Sequence, residues 1–279
     1  MDLSIIILNY KSKNLTKQCV KTIRLCAPKL AYEIIVVDNA SQDGVGAMLQ
    51  ESFPDVRFIA AKENLGYAAG NNIGLRAATG RVLMILNPDI TVRPGAIEAA
   101  VAYLDAHPEI GILGPKLVKP DGRVDESCFR LPTPLIPVYR RTPLGRTAKG
   151  RQALARYLMA DYDRRETREV DWLLGAVLLV SRAAYEQVGP FDEDYFLYFE
   201  DTDWCRRFRD AGYRVVYFTG AEMVHYHERL SAQGNWLTSL FNKATRVHIQ
   251  SCVRYFRKWR VRGEAAAAMT GLSPREILK

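Results

Sequence analysis

The chain has 279 residues, 48% of them hydrophobic, and a formal charge of +8. This is enough apolar material for one large α/β domain or a domain with an appendage, and it argues against disorder as the dominant state. It has no uninterrupted apolar run of about 18 residues, no basic and apolar leader pattern in Met1-Asp2-Leu3-Ser4, and no Cys-x-x-Cys among its five cysteines.

The expectation is therefore a chain made and kept in the cytoplasm, with cysteines acting as small buried hydrophobes. The charge is concentrated in two segments. Arg140 to Arg168 holds nine basic residues against three acidic ones, and Lys243 to Arg262 holds seven against none, so together they contribute +13 and the remainder is net acidic. Such asymmetry points to an anionic surface as partner.

In chain order, Leu3 to Leu8 reads as a strand, and apolar spacing through Leu15, Cys19, Val20, Ile23 and Leu25 predicts a helix. Glu33 to Asp38 is a second buried strand, completing a βαβ unit. A weak helix from Val45 to Glu51, a strand at Val56 to Ile59, a helix from Gly70 to Ala78 and a strand at Arg81 to Leu86 continue the alternation of a doubly wound, mostly parallel sheet. Pro94 to His107 predicts another helix, with its proline in the first turn. Turn residues, six prolines and scattered arginines break the pattern between Pro115 and Val170. Beyond them come a strand over Trp172 to Val180, helices at Ala183 to Val188 and Glu200 to Ala211, a strand at Tyr213 to Phe218, and an amphipathic helix from Leu237 to Arg262. The expected divisions are a ligand-binding half (1–112), a second half (113–235, with a basic insert near 132–168) and a basic helical segment (236–279).

Several polar groups fall where ligands gather, at the carboxyl ends of strands in an open α/β sheet. Ile85-Leu86-Asn87-Pro88-Asp89 ends a buried strand on a carboxylate that can hold a divalent cation, although Asn, Pro and Asp also make ordinary turns. Asp38 ends the second strand, where it can meet a ribose or cap a helix. The first turn, Asn9-Tyr10-Lys11-Ser12-Lys13, has no glycine, and there is no Walker A sequence, so dinucleotide binding and the commonest route to ATP hydrolysis are disfavoured. Gly66, Gly70 and Gly74, with Asn71 and Asn72, open a helix either to admit a phosphate or to pack it tightly on the sheet. Glu200, Asp201 and Asp203 share one helical turn after the aromatic run Tyr195 to Phe199, against which one carboxylate can be desolvated into a general base. Acids in a first turn are also favoured by the helix dipole alone. His225 and His227 share a face if that segment is extended.

Taken together, Ser4 to Tyr10, Val37 to Gly44, Asn64 to Tyr67 with Gly70-Asn71-Asn72 and Gly74, Asn87-Pro88-Asp89, Trp172 with Gly175-Ala176, and Phe199 to Trp204 resemble the inverting family 2 glycosyltransferases, in particular their rhamnosyltransferase-like branch. The resemblance implies a GT-A fold, a nucleotide-diphosphate sugar as donor (dTDP-L-rhamnose or a UDP-sugar), and a glycan or lipid-linked acceptor in cell-surface polysaccharide synthesis. By the same resemblance, Asn9, Asp38, Gly66, Asn71 and Asn87 face the donor, and Asp89 with His225 (or His227) holds Mg²⁺ or Mn²⁺. Asp201 is the base with Glu200 beside it, and Trp172, Gly175 and Asp203 meet the acceptor. Asn87 stands where the commonest motif has its first aspartate, which leaves a catalytically silent sugar-nucleotide binder as the alternative. The basic-aromatic C-terminal helix suits either an anionic membrane surface or the protein's own core. A nucleic-acid partner is disfavoured, because the acidic rim of Asp38, Asp89, Glu200 and Asp201 would repel a phosphate backbone.

Overall fold

The computed structural model describes residues 1–26, 28–226 and 243–270, with side chains of the last helix through Val261. His227 and the stretch 237–242 lie outside the described residues.

The strands are β1 (Leu3–Asn9), β2 (Tyr32–Asp38), β3 (Arg57–Ala60), β4 (Val82–Leu86), β5 (Ile90–Val92), β6 (Ile110–Val118), β7 (Cys128–Phe129), β8 (Arg168–Glu169), β9 (Trp172–Leu173), β10 (Val177–Ser181) and β11 (Arg214–His225). The helices are α1 (Lys13–Cys26), α2 (Val45–Ser52), α3 (Gly66–Ala77), α4 (Ala96–Ala106), α5 (Ile136–Arg141), α6 (Ala148–Tyr157), α7 (Arg182–Val188), α8 (Glu200–Asp210) and α9 (Lys243–Thr270), with a 3₁₀ turn at Pro143–Arg146. One sheet runs in the order β3-β2-β1-β4-β10-β6-β11-β5, and β8 pairs off this path with β11. β3, β2, β1, β4, β6 and β11 share one direction, while β10 and β5 run against them.

Strand alternation sends side chains to two cores. Leu3, Ile5 and Ile7 meet α1, α2 and α4 on one face, while Ile6 and Leu8 meet α3, α7 and α8 on the other. The α1 face differs from expectation. Its buried side chains are Thr16, Cys19, Val20, Thr22 and Ile23, while Leu15 and Leu25 are exposed, because burial follows the 3.6-residue period and those two fall off its stripe.

α3 starts at Gly66, four residues before the expected Gly70. A side chain at Gly74 would press within 2.3 Å of Ile6, and one at Gly70 within 2.7 Å of Leu8, so these glycines seat the helix on β1. Gly66 has φ of 82°, and a Cβ there would lie 2.2 Å from the Phe196 carbonyl oxygen.

The single strand expected over Trp172 to Val180 is two. β9 pairs with β7 in a small separate sheet, and β10 enters the main sheet between β4 and β6. The break at Leu174-Gly175-Ala176 brings this chain to the carboxyl end of β4, where Val177 pairs with Leu86 and the Asn87 amide donates to the Ala176 carbonyl at 2.8 Å.

Candidate active site

The site forms along the carboxyl rim of the parallel strands. Asn9 and Asp38 pair in the β1–β2 register, and the Asn9 amide nitrogen donates to Asp38 Oδ1 at 2.9 Å and to Ser41 Oγ at 2.8 Å. Its oxygen accepts from Ser12 and Thr16. Asn9 is fully buried, so it does not face a ligand as expected; both ends of its amide are spent tying the two strand ends together. Asp38 is half-buried at the rim, and its Oδ1 also accepts from the Ser41 hydroxyl. Asn39, which the sequence reading passed over, reaches from the end of β2 to Asn64 and to the Gly66 carbonyl oxygen. Asn71 donates to the Tyr67 carbonyl oxygen at 3.0 Å, and its own oxygen is buried without a partner.

β11 delivers His225 opposite Ile90, and this register sets the imidazole beside Asp89. Nε2 lies 3.5 Å from Asp89 Oδ2, and Nδ1 lies 2.9 Å from Oδ2 of Asp125. Asp125 arrives on a chain reversal: the strand ending at Val118 turns through Gly122 and returns with the Asp125 amide donating to the Leu117 carbonyl. Burial pulls the His225 pKa down, but the bonds to Asp125 and Asp89 more than offset it and leave it raised to about 9. Among the described residues Asp89 Oδ1 is buried without a hydrogen-bond partner. A carboxylate with an orphaned oxygen, next to an imidazole oriented by a second carboxylate, offers two donors of the kind a divalent cation takes, although no group of three or more such ligands is found among the described residues.

The third group comes from α8. Asp201 is buried; Oδ2 accepts the Gly175 amide at 3.0 Å, and Oδ1 accepts the Thr202 amide at 2.7 Å. Burial raises its pKa, and these hydrogen bonds recover part of the shift. Glu200 is also buried, with Oε2 unpartnered, and burial together with the Asp201 charge pushes its pKa well above the usual carboxylate range. Ahead of them, Tyr198 and Phe199 both have positive φ, 70° and 67°, a left-handed conformation that side chains rarely adopt.

Tyr67 joins the two sides. Its hydroxyl donates to the Gly175 carbonyl oxygen at 2.6 Å and lies 3.1 Å from Asn87 Oδ1. Burial holds the phenol well above its ordinary pKa, and the charges of Glu200, Asp201 and Asp89 push it further.

Two residues expected at the acceptor lie in the core. Trp172 is buried, stacked on Phe129 at 4.4 Å with its indole N–H donating to the Arg130 carbonyl oxygen, so it is a core residue behind the site. Asp203 is fully buried, accepting from Arg207 and Lys258 at Oδ2 and from the Trp259 indole at Oδ1, which leaves it nothing for an acceptor. It anchors α9, whose Tyr255 and Trp259 pack with Tyr195 and Phe199. The aromatic side of the basic helix is thus part of the core, while Arg246, Ile249, Val253, Arg257 and Arg260 face outward.

The sequence profile of glycosyl transferase family 2 matches residues 4–146, just over half of the chain. The chain belongs to that family.

Among family relatives, it is 33% identical over 212 residues to the N-acetylglucosaminyl-diphospho-decaprenol L-rhamnosyltransferase of Mycobacterium tuberculosis, covering 72% of this chain and 68% of the relative. It is 36% identical over 92 residues to the rhamnosyltransferase WbbL of Escherichia coli, a third of each chain. The fold is that of GT-A glycosyltransferases. The mannosyltransferase PcManGT of Pyrobaculum calidifontis, solved with GDP-Man and Mn²⁺, superposes with a TM-score of 0.54 at 21% identity over 99% of this chain and 77% of its own. TarS of Staphylococcus aureus gives 0.55 at 17% identity over 81% of this chain, which spans only 37% of that larger protein.

Proposed function

We propose that this family 2 glycosyltransferase moves a hexose with inversion from a nucleotide-diphosphate donor to a hydroxyl of a lipid-linked glycan, with L-rhamnose from dTDP-L-rhamnose as the sugar. The observation that carries the reading is that Gly175 holds Asp201 through its amide and Tyr67 through its carbonyl, while the same Tyr67 hydroxyl lies 3.1 Å from Asn87, two residues before Asp89, because a base and a donor-holding acid must face one reaction centre. The rhamnosyltransferase names of two relatives support the choice of sugar and of a diphosphate-linked acceptor.

Asp201 is suited to general-base work. Its carboxylate is desolvated and its pKa raised, so it holds a proton better than an exposed aspartate, and Gly175 and Thr202 fix its orientation. The acceptor oxygen attacks the anomeric carbon, the bond to the donor phosphate breaks on the opposite face, and the acceptor proton passes to Asp201. Asp38 lies where a ribose hydroxyl would be bound. Asp89 and His225 would hold a Mg²⁺ or Mn²⁺ ion, which when bound would neutralise charge on the leaving diphosphate. Asn87 supplies no charge, and its oxygen lies 3.1 Å from the Tyr67 hydroxyl, so it shapes the rim beside Asp89.

No helix among the described residues is long and apolar enough to cross a membrane. The outward arginines and aliphatics of α9 support a peripheral contact with the anionic inner face of the cytoplasmic membrane, where lipid-linked acceptors reside.

The reading is tested by incubating the protein with radiolabelled dTDP-L-rhamnose, N-acetylglucosaminyl-diphospho-prenol and Mn²⁺ or Mg²⁺. Metal-stimulated label in the lipid product is expected. Donor binding without transfer to this or any glycan acceptor would instead support the catalytically silent binder.

A further inference from the structure

A cleft of about 660 Å³ opens where α5, the Pro143–Arg146 turn and α6 meet, and its walls include Arg140, Arg141, Arg146, Glu126, Tyr139 and Leu158. Among the described residues no carboxylate is paired with any of the three arginines, whereas Arg130 and Arg209 both reach Asp171. Arg141 is half-buried, and among the described residues its buried Nη1 has no hydrogen-bond partner. A guanidinium withdrawn from water and given no acceptor is costly unless an anion completes it.

The cleft is placed to serve the reaction centre. Arg140 stands 5.8 Å from the centre of the Tyr157 ring, and the buried Tyr157 phenol feels the charges of both Arg140 and Asp201. Leu135, Val138 and Leu144 of the same segment are 54%, 39% and 54% exposed. An anion site on a segment that also exposes aliphatic side chains suits a phosphate that carries a hydrocarbon tail better than a free one.

We propose that this cleft binds the diphosphate of a prenyl-diphosphate-linked acceptor, with Arg140, Arg141 and Arg146 on the phosphates and Leu135, Val138 and Leu144 against the first prenyl units. The inference rests on the glycosyltransferase reading above and adds a subsite and its ligand class. The three guanidiniums in the wall supply the cationic donors that the charged oxygens of a diphosphate require. Held there, the acceptor sugar projects past Tyr157 toward Asp201, and the donor diphosphate keeps to the separate rim at Asp89.

Calorimetric titration of the full chain with farnesyl diphosphate, inorganic pyrophosphate and dTDP tests it, using wild type and the Arg140→Gln/Arg141→Gln variant, with thermal unfolding as the check on folding. Farnesyl diphosphate is expected to bind wild type at least tenfold more tightly than pyrophosphate and to lose tenfold or more in the variant, while dTDP affinity stays the same. If the double variant does not fold, the exposed Arg146→Gln carries the test with an expected loss of about threefold. Equal farnesyl diphosphate affinity in wild type and variant would overturn the subsite. Equal wild-type affinity for pyrophosphate and farnesyl diphosphate would overturn the lipid-linked class. Wild-type binding of farnesyl diphosphate without any binding of dTDP would keep the subsite and remove dTDP-L-rhamnose as the donor instead.

Discussion

The Gly175 amide donates to Asp201 Oδ2 at 3.0 Å, and this bond ties the break between β9 and β10 to the first turn of α8. A Cβ at position 175 would sit 3.3 Å from the Tyr67 hydroxyl and 3.4 Å from the Asp201 Cβ. Gly175→Ala should therefore shift both groups by a few tenths of an ångström. The expected result is a fall in kcat of about ten- to a hundredfold with little change in dTDP affinity, read by steady-state kinetics and calorimetry.

Asp203 holds α9 against the loop that leads into Glu200. Asp203→Ala would leave Lys258 and Arg207 without their buried carboxylate and the Trp259 indole without an acceptor. A stability loss of about 3–5 kcal/mol is expected in urea unfolding, because a buried ion pair loses its carboxylate, with Asp192 left as the partner of Lys258. A purely acceptor-binding role would instead raise the acceptor KM and leave the unfolding midpoint in place.

Glu200 makes stability depend on pH in a defined direction. Its folded pKa is raised above the ordinary 4.5, so the native state holds the proton more tightly than the unfolded chain. That contribution is complete below about 4.5 and is lost as pH climbs through the native pKa. Glu200→Gln removes the titration. As pH rises above about 4.5 the wild type should lose stability relative to the variant, measured by urea unfolding at several pH values. Parallel pH profiles for the two proteins would contradict the burial argument.

Gly74 distinguishes packing from ligand contact. Gly74→Ala would bring a methyl group to 2.3 Å from the Ile6 side chain. A destabilisation of about 1–3 kcal/mol with unchanged dTDP affinity is expected from overpacking. Weakened dTDP binding without loss of stability would give the glycine the phosphate role that the sequence also allowed.

Much of this architecture was legible in the sequence, because unbroken apolar runs such as Ile5-Ile6-Ile7 and Ile34-Ile35-Val36-Val37 can only be strands covered on both faces. Asp38, Asp89 and Asp201 stood out as acids at the ends of such runs or opening a helix. The partners that organise them did not. Asp125 lies in a turn-rich stretch with no periodicity, and only the β6 reversal and the β11 register bring it to His225. Trp172 and Asp203 read as contacts for an acceptor because type and position in a motif do not reveal which way a side chain points. The strand break at Gly175 was hidden because Trp172 to Val180 is apolar throughout, and a single glycine there signals weakly. α9 offered the reverse difficulty: its aromatic and basic residues alternate in a way that suits lipid or core, and the Asp203 contacts put its aromatic side inward.

The account turns on Asp201 as the group that takes the acceptor proton. The direct measurement compares wild type and Asp201→Asn for dTDP-L-rhamnose affinity by calorimetry and for sugar transfer by radiolabel, at equal folded fraction. The prediction is an unchanged dissociation constant with transfer reduced by about a hundred- to ten-thousandfold. Transfer at the wild-type rate in Asp201→Asn would contradict the assignment.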